Sequence, residues 1–117
     1  MDSINVKGKD IPVVYSMGNL LSNQRYETMG VSYTEDGLLV SIRIVKKWDT
    51  GEVLIEPLVP VPTWVYRWSK GSGKYGYRVI PVEDVLSGKL ELELSPETTL
   101  RIQKSLGDTM NTLNGSN

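Results

Sequence analysis

Cysteine, histidine and phenylalanine are all absent from this chain of 117 residues. Without Cys there is no disulfide, no thiolate nucleophile and no thiolate-held zinc. Without His, the commonest general base and the commonest metal ligand are missing too. An excess of one charge is also lacking: 13 Lys and Arg face 14 Asp and Glu, a net charge of −1. General nucleic-acid and membrane-surface binders depend on a basic excess, so both classes are set aside. No apolar run approaches the ~20 residues of a spanning helix. The opening residues Asp2-Ser3-Ile4-Asn5 have no basic n-region of a signal peptide. A Cys-free composition suits a reducing compartment and equally an exported protein that never relied on disulfides.

What is present fits one ordinary domain spanning residues 1–117, with 39% hydrophobic and 23% charged residues. Period-two apolar patterns dominate. Ile11 to Tyr15 is a short β-forming run, with Pro12 tolerable near a strand start or edge. Leu20 to Thr28 has no period and reads as an ordered loop. Met29, Val31 and Tyr33 alternate with small polar residues, and Asp36-Gly37 then supplies hairpin turn chemistry. On the return strand Leu38, Val40, Ile42 and Ile44 would share one face. Asp49-Thr50-Gly51 is a second turn. Beyond it Pro57, Pro60 and Pro62 predict a broken or bent edge strand. Trp64, Tyr66 and Trp68 alternate with Val65 and Arg67 as a strand, a flexible Lys70–Lys74 loop follows, and Tyr75 to Val82 resumes the pattern.

The last segment changes character. Ser95-Pro96-Glu97 combines an N-cap serine, a first-turn proline and a first-turn acid. Ile102, Leu106, Met110 and Leu113 then mark one helical face. Glu97–Arg101 and Lys104–Asp108 are oppositely charged pairs four apart. The expected class is α+β, mainly antiparallel strands and hairpins with a C-terminal helix.

Few motifs carry chemistry. Gly71-Ser72-Gly73-Lys74 lacks the glycine spacing and the following Ser or Thr of a phosphate loop, so it reads as a hairpin loop. Glu91 and Glu93 alternate with Leu90, Leu92 and Leu94 as an amphipathic strand face. Nothing among the acids has the arrangement of a glycosidase pair or a calcium loop. The stretch from Trp64 to Arg78 holds aromatics with Arg67, Lys70, Lys74 and Arg78 and no acid. It is either core and rim or a strip that grips a sugar or an anionic polymer.

One segment rises above this background. Val14-Tyr15-Ser16-Met17-Gly18-Asn19-Leu20-Leu21-Ser22-Asn23-Gln24 resembles the YSLGNF-x-S-x-Q segment of the bacterial poly-γ-glutamate capsule-synthesis family, CapA. Met17 stands for Leu and Leu20 for Phe. Thr34 to Val40 is similar to its "DG-apolar" strand, Pro62-Thr63-Trp64-Val65 to its PTWV segment, and Tyr77 to Val82 to its YRVLPV segment. The resemblance covers most of the chain.

It implies the C-terminal portion of a calcineurin-like layered sandwich. The family's metal-site motifs lie upstream of the segment matched here, so the resemblance implies a C-terminal piece of a longer protein. No catalytic residue, metal or cofactor is then expected in these residues. A divalent metal and any signal peptide or membrane anchor belong to the parent's upstream half, which would be the main partner. The parent's place would be the bacterial cell envelope, with the fragment itself soluble and not inserted in a membrane. Ser16, Gly18 and Asn19 would form the rim of the upstream site, and Arg67, Lys70, Lys74 and Arg78 would contact poly-γ-glutamate or another anionic envelope polymer. The alternative is that the parent is a metal-dependent hydrolase and this chain supplies only its rim. A third possibility is a β-rich module whose edge strands bind a protein.

Overall fold

The computed structural model describes residues 2–18, 20–21, 24–25, 27, 30 and 32–115. The architecture is α+β, with antiparallel sheets and a long C-terminal helix. Strands β1 (Asp2–Val6) and β2 (Lys9–Val13) form a free-standing hairpin. β3 (Asp36–Ser41), β6 (Val59–Gly71) and β7 (Lys74–Pro81) form the main sheet in the order β3-β6-β7. Between them β4 (Ile44–Lys46) and β5 (Val53–Ile55) make a second isolated hairpin. Helix α1 (Val82–Leu86) follows β7, and α2 (Pro96–Leu113) closes the chain.

The 13-residue strand β6 organises the molecule. Its first half pairs with β3 and its second half with β7, overlapping at Thr63 and Trp64. That division explains a departure from expectation. Pro60 and Pro62 do not break the strand but lie inside it, opposite Val40 and Leu38. Each proline lacks an N–H, and both nitrogens face the side where β7 has already ended at Pro81, so no ladder bond is lost.

Two other expectations are corrected. Asp36-Gly37 does not turn a hairpin; it opens β3, and Ser32–Glu35 before it is a short 3-10 turn. The cause is Glu35, whose buried carboxylate is held by Trp64 and Arg101, so the chain must curl to deliver it. Nor does one strand run from Leu38 to Ile44. It ends at Ser41, Ile42 is exposed, and β4 leaves to pair with β5. The Met29 and Val31 positions lie outside the described residues.

The core sits where α2 and α1 cover the middle of the sheet. Trp64, Ile80, Val82 and Ile102 are buried together, flanked by Tyr66, Val85, Leu86, Leu92, Leu94 and Leu106. Leu90, Leu92 and Leu94 do alternate with exposed Glu91 and Glu93, yet the segment joins no ladder. α2 starts as read: Ser95 accepts from the Thr98 amide at 3.1 Å and Pro96 follows. Lys104 pairs with Asp108 at 2.6 Å, whereas Arg101 turns to Glu27 and Glu35 in place of Glu97. The β6–β7 connection is a two-residue turn, Ser72-Gly73, with φ of 54° and 73°. Two successive positive φ values are the type I′ geometry that matches strand twist.

The molecule is extended. Its radius of gyration is 17.6 Å, against about 13 Å for a compact chain of this length. It exposes 8417 Å², against roughly 6,400 Å² for a folded monomer of its mass. The two hairpins contribute to it. Ile4, Val6 and Ile11 are exposed on β1 and β2, and Ile44, Val53, Leu54 and Ile55 on β4 and β5.

Candidate functional site

The motif segment Ser16-Met17-Gly18 lies along the outer edge of β3. Leu38 N–H donates to Met17 C=O at 2.9 Å, and Gly18 bridges Gly37. Leu38 sits opposite Pro62, so its amide points away from β6 and is free to take this second neighbour. Gly18 has φ of 71°, and a Cβ there would meet Asp36 C=O at 3.0 Å. Both the backbone angle and the close approach call for glycine. Gly18 N–H donates to Ser16 Oγ at 3.4 Å.

Between this segment, the start of β3 and the last turns of α2 lies a groove of about 250 Å³. Ser16, Gly18, Asp36, Asp108, Thr109 and Thr112 supply its polar lining, with Met17, Leu38 and Leu113 beside them. Burial pushes the Asp36 carboxyl up to about 6, helped by the negative charges of Asp108 and Glu35 and opposed by Ser105 and Lys104. Asp108 is held differently, accepting from Lys104 Nζ. The hydroxyl and carboxyl groups of the groove can hydrogen-bond a polar group. Among the described residues, no group of three or more acids is placed to hold a metal ion.

Behind the groove Trp64 Nε1 donates to Glu35 Oε2 at 3.0 Å, and Arg101 Nη2 donates to Glu35 Oε1. Arg101 Nη1 also donates to Glu27 at 2.7 Å. Arg25 Nη1 donates to Val65 C=O at 2.8 Å, where β6 has run past the end of β3. Both guanidinium groups stand over the Trp64 ring, at 5.3 Å and 5.6 Å from its centroid. Burial lowers the Arg25 pKa. For Arg101 burial works the same way, but Glu27 and Glu35 outweigh it and raise the value. Arg101 in turn holds the Glu27 carboxyl below its usual range. This network fixes Glu35, the residue just before β3, and hence the position of Asp36.

Of the residues picked out by sequence, Ser16 and Gly18 line the groove, and Asn19 lies outside the described residues. No protein-family model, curated protein or solved structure matches this chain. Arg67, Lys70, Lys74 and Arg78 all lie on the β6–β7 hairpin, but the register separates them. Arg78 is opposite Tyr66 on the face shared with Trp64 and Trp68; Arg67 is opposite Tyr77 on the other face, 4.4 Å over the Tyr75 ring. Lys70 and Lys74 flank the tip. Alternation along β7 puts Lys74 on the Arg78 face and Arg67 on the other, so the four cations do not form one strip. Sequence reading missed Asp36, taken as a turn residue, and the buried Arg25 and Glu35. An unbroken run of polar residues from Ser22 to Arg25 carries no burial signal. Among the described residues no helix is long and apolar enough to cross a membrane.

Proposed function

We propose that this chain is a non-catalytic C-terminal portion of a CapA-like envelope protein that takes part in poly-γ-glutamate synthesis or export, and that it completes a larger layered fold. The observation that carries the reading is the unpartnered apolar surface of the two hairpins, joined to the motif resemblance of Tyr15 to Gln24. Isolated two-stranded hairpins are marginally stable in water. Here two of them project, β1–β2 with Ile4, Val6 and Ile11 exposed and β4–β5 with Val53 and Ile55 exposed. The excess exposure of about 2,000 Å² is what one side of a large permanent interface buries. In this reading the upstream half of the parent covers these faces, and the parent, at the cell envelope, carries whatever metal chemistry there is.

A narrower part of the reading is contact with the anionic polymer through Arg67, Lys70, Lys74 and Arg78. Amide NMR of the chain titrated with poly-γ-glutamate oligomers tests it. Shifts centred on residues 64–78 that vanish at high salt are expected. Binding unchanged when all four cations are neutralised would remove the polymer contact from the account.

The alternative, a rim segment of a metal-dependent hydrolase, draws support from the groove, where Ser16 and Gly18 meet Asp36. Full turnover by a parent carrying Asp36→Asn and Ser16→Ala would discard it.

A further inference from the structure

The outer half of the β6–β7 hairpin carries a feature that core packing does not use. Trp68 stands directly opposite Gly76, and its indole lies flat on that glycine: a Cβ at 76 would come within 2.3 Å of Trp68 Cε2 and Cζ2. Cross-strand covering of a glycine by an aromatic accounts for the inner face of the indole. Trp68 is nevertheless 37% exposed and lies outside the buried cluster. Tyr66, two residues inward on the same face, stacks against it with centroids 5.6 Å apart and planes 25° apart. Arg78 is opposite Tyr66 on this face, exposed, and makes no ion pair among the described residues. The two strands keep one register from Thr63 to Ser69, with a bulge between Ser69 and Gly71 just before the Ser72-Gly73 turn.

We propose that this Tyr66–Trp68–Arg78 face is a binding site for an acidic glycan, with a pyranose ring lying on the Trp68 indole and its carboxylate meeting Arg78. A flat, low-entropy aromatic surface suits the C–H face of a sugar ring. Charge complementarity selects an acidic one, because alternation along β7 puts Lys74 on the same face as Arg78, and residues 64–78 contain no acid. A flexible polyanion without rings, such as poly-γ-glutamate, meets the charge but leaves the indole unused. The site shares Arg78 with the polymer contact proposed above, and the Trp68 indole signal and Trp68→Ala distinguish the two, since poly-γ-glutamate has no ring to lie on it.

The test is amide and indole NMR of the chain with tetragalacturonate, beside cellotetraose as the neutral ring, poly-γ-glutamate as the ringless polyanion and an oligothymidylate as the nucleic acid. Tetragalacturonate is expected to shift the Trp68 indole signal and to bind tightest of the four. Trp68→Ala is expected to weaken it at least about fivefold, a typical loss for one stacked ring, while the rest of the spectrum stays in place. Trp68→Tyr should recover part of the loss. Gly76→Ala, which keeps the indole but lifts it off the strand, should weaken binding as well. Arg78→Gln should abolish the preference over cellotetraose. Binding indifferent to Trp68→Ala would overturn the proposal, and so would poly-γ-glutamate or the oligothymidylate matching tetragalacturonate.

Discussion

Replacing Asp36 by Asn should stabilise this protein at neutral pH, and the gain should disappear in acid. Burial raises the Asp36 carboxyl from its usual 3.8 to about 6. In that interval the native state holds a proton that the unfolded chain has released. Stability therefore falls as pH rises from about 4 to 6 and levels off above. A shift of about two units corresponds to a ceiling of about 3 kcal/mol. The carboxyl is only partly buried, so solvent screening brings the expected figure to about 1–2 kcal/mol. The amide is nearly isosteric and carries no charge. Urea unfolding followed by far-UV circular dichroism at pH 4, 5, 6 and 7 measures the difference. Expected is equality near pH 4 and an advantage of about 1–2 kcal/mol for the Asp36→Asn variant at pH 7. Glu27, whose carboxyl Arg101 holds low, contributes the opposite slope below its usual 4.5, but identically in both proteins. A variant less stable at pH 7, or one with the slope of the unsubstituted chain between pH 4 and 6, would refute the argument.

Glu35→Gln should cost on the order of 3–5 kcal/mol, because it leaves the buried Arg25 and the Arg101 guanidinium over Trp64 short of a carboxylate; thermal unfolding checks it. Gly18→Ala should cost about 1–2 kcal/mol for the left-handed backbone alone, and hydrogen exchange should show the Leu38 amide losing protection as the Met17 contact opens. Ser95→Ala should cost about 1 kcal/mol through loss of the cap on the Thr98 amide, read by urea unfolding and by earlier fraying of the first turn of α2.

How much of this was legible in the sequence follows the range of each interaction. The start of α2 could be read because Ser95, Pro96 and Glu97 act on the nearest turn; the chain reversal at Lys70–Lys74 could be placed, but it is a two-residue Ser72-Gly73 turn and not the flexible loop expected. The fate of Asp36-Gly37 could not. Whether that pair turns or begins a strand is decided by Glu35 reaching Trp64, 29 positions away. Pro60 and Pro62 misled for a similar reason: a proline breaks a ladder only if a neighbour is present on its N side, and that depends on where β7 ends. The groove shares this dependence. Ser16 and Gly18 stood out through their motif, whereas Asp36 and Asp108 became neighbours only through the packing of α2 against β3. The sequence reads Ile44 as part of the apolar face of one strand and residues 53–59 as a bent edge strand, not as a hairpin exposed on both faces. Alternation tells which residues want cover, not whether the same chain provides it.

The most direct test of the central claim is a chimera. Residues 2–115 would replace the corresponding segment of the CapA-family protein in a bacterium that makes a poly-γ-glutamate capsule, and polymer yield would be measured. The account predicts a folded chimera that retains capsule, with the β1–β2 and β4–β5 hairpins slower in hydrogen exchange than in the isolated chain. A chimera that folds and reaches the envelope yet makes no polymer, with those hairpins still exchanging freely, would contradict it.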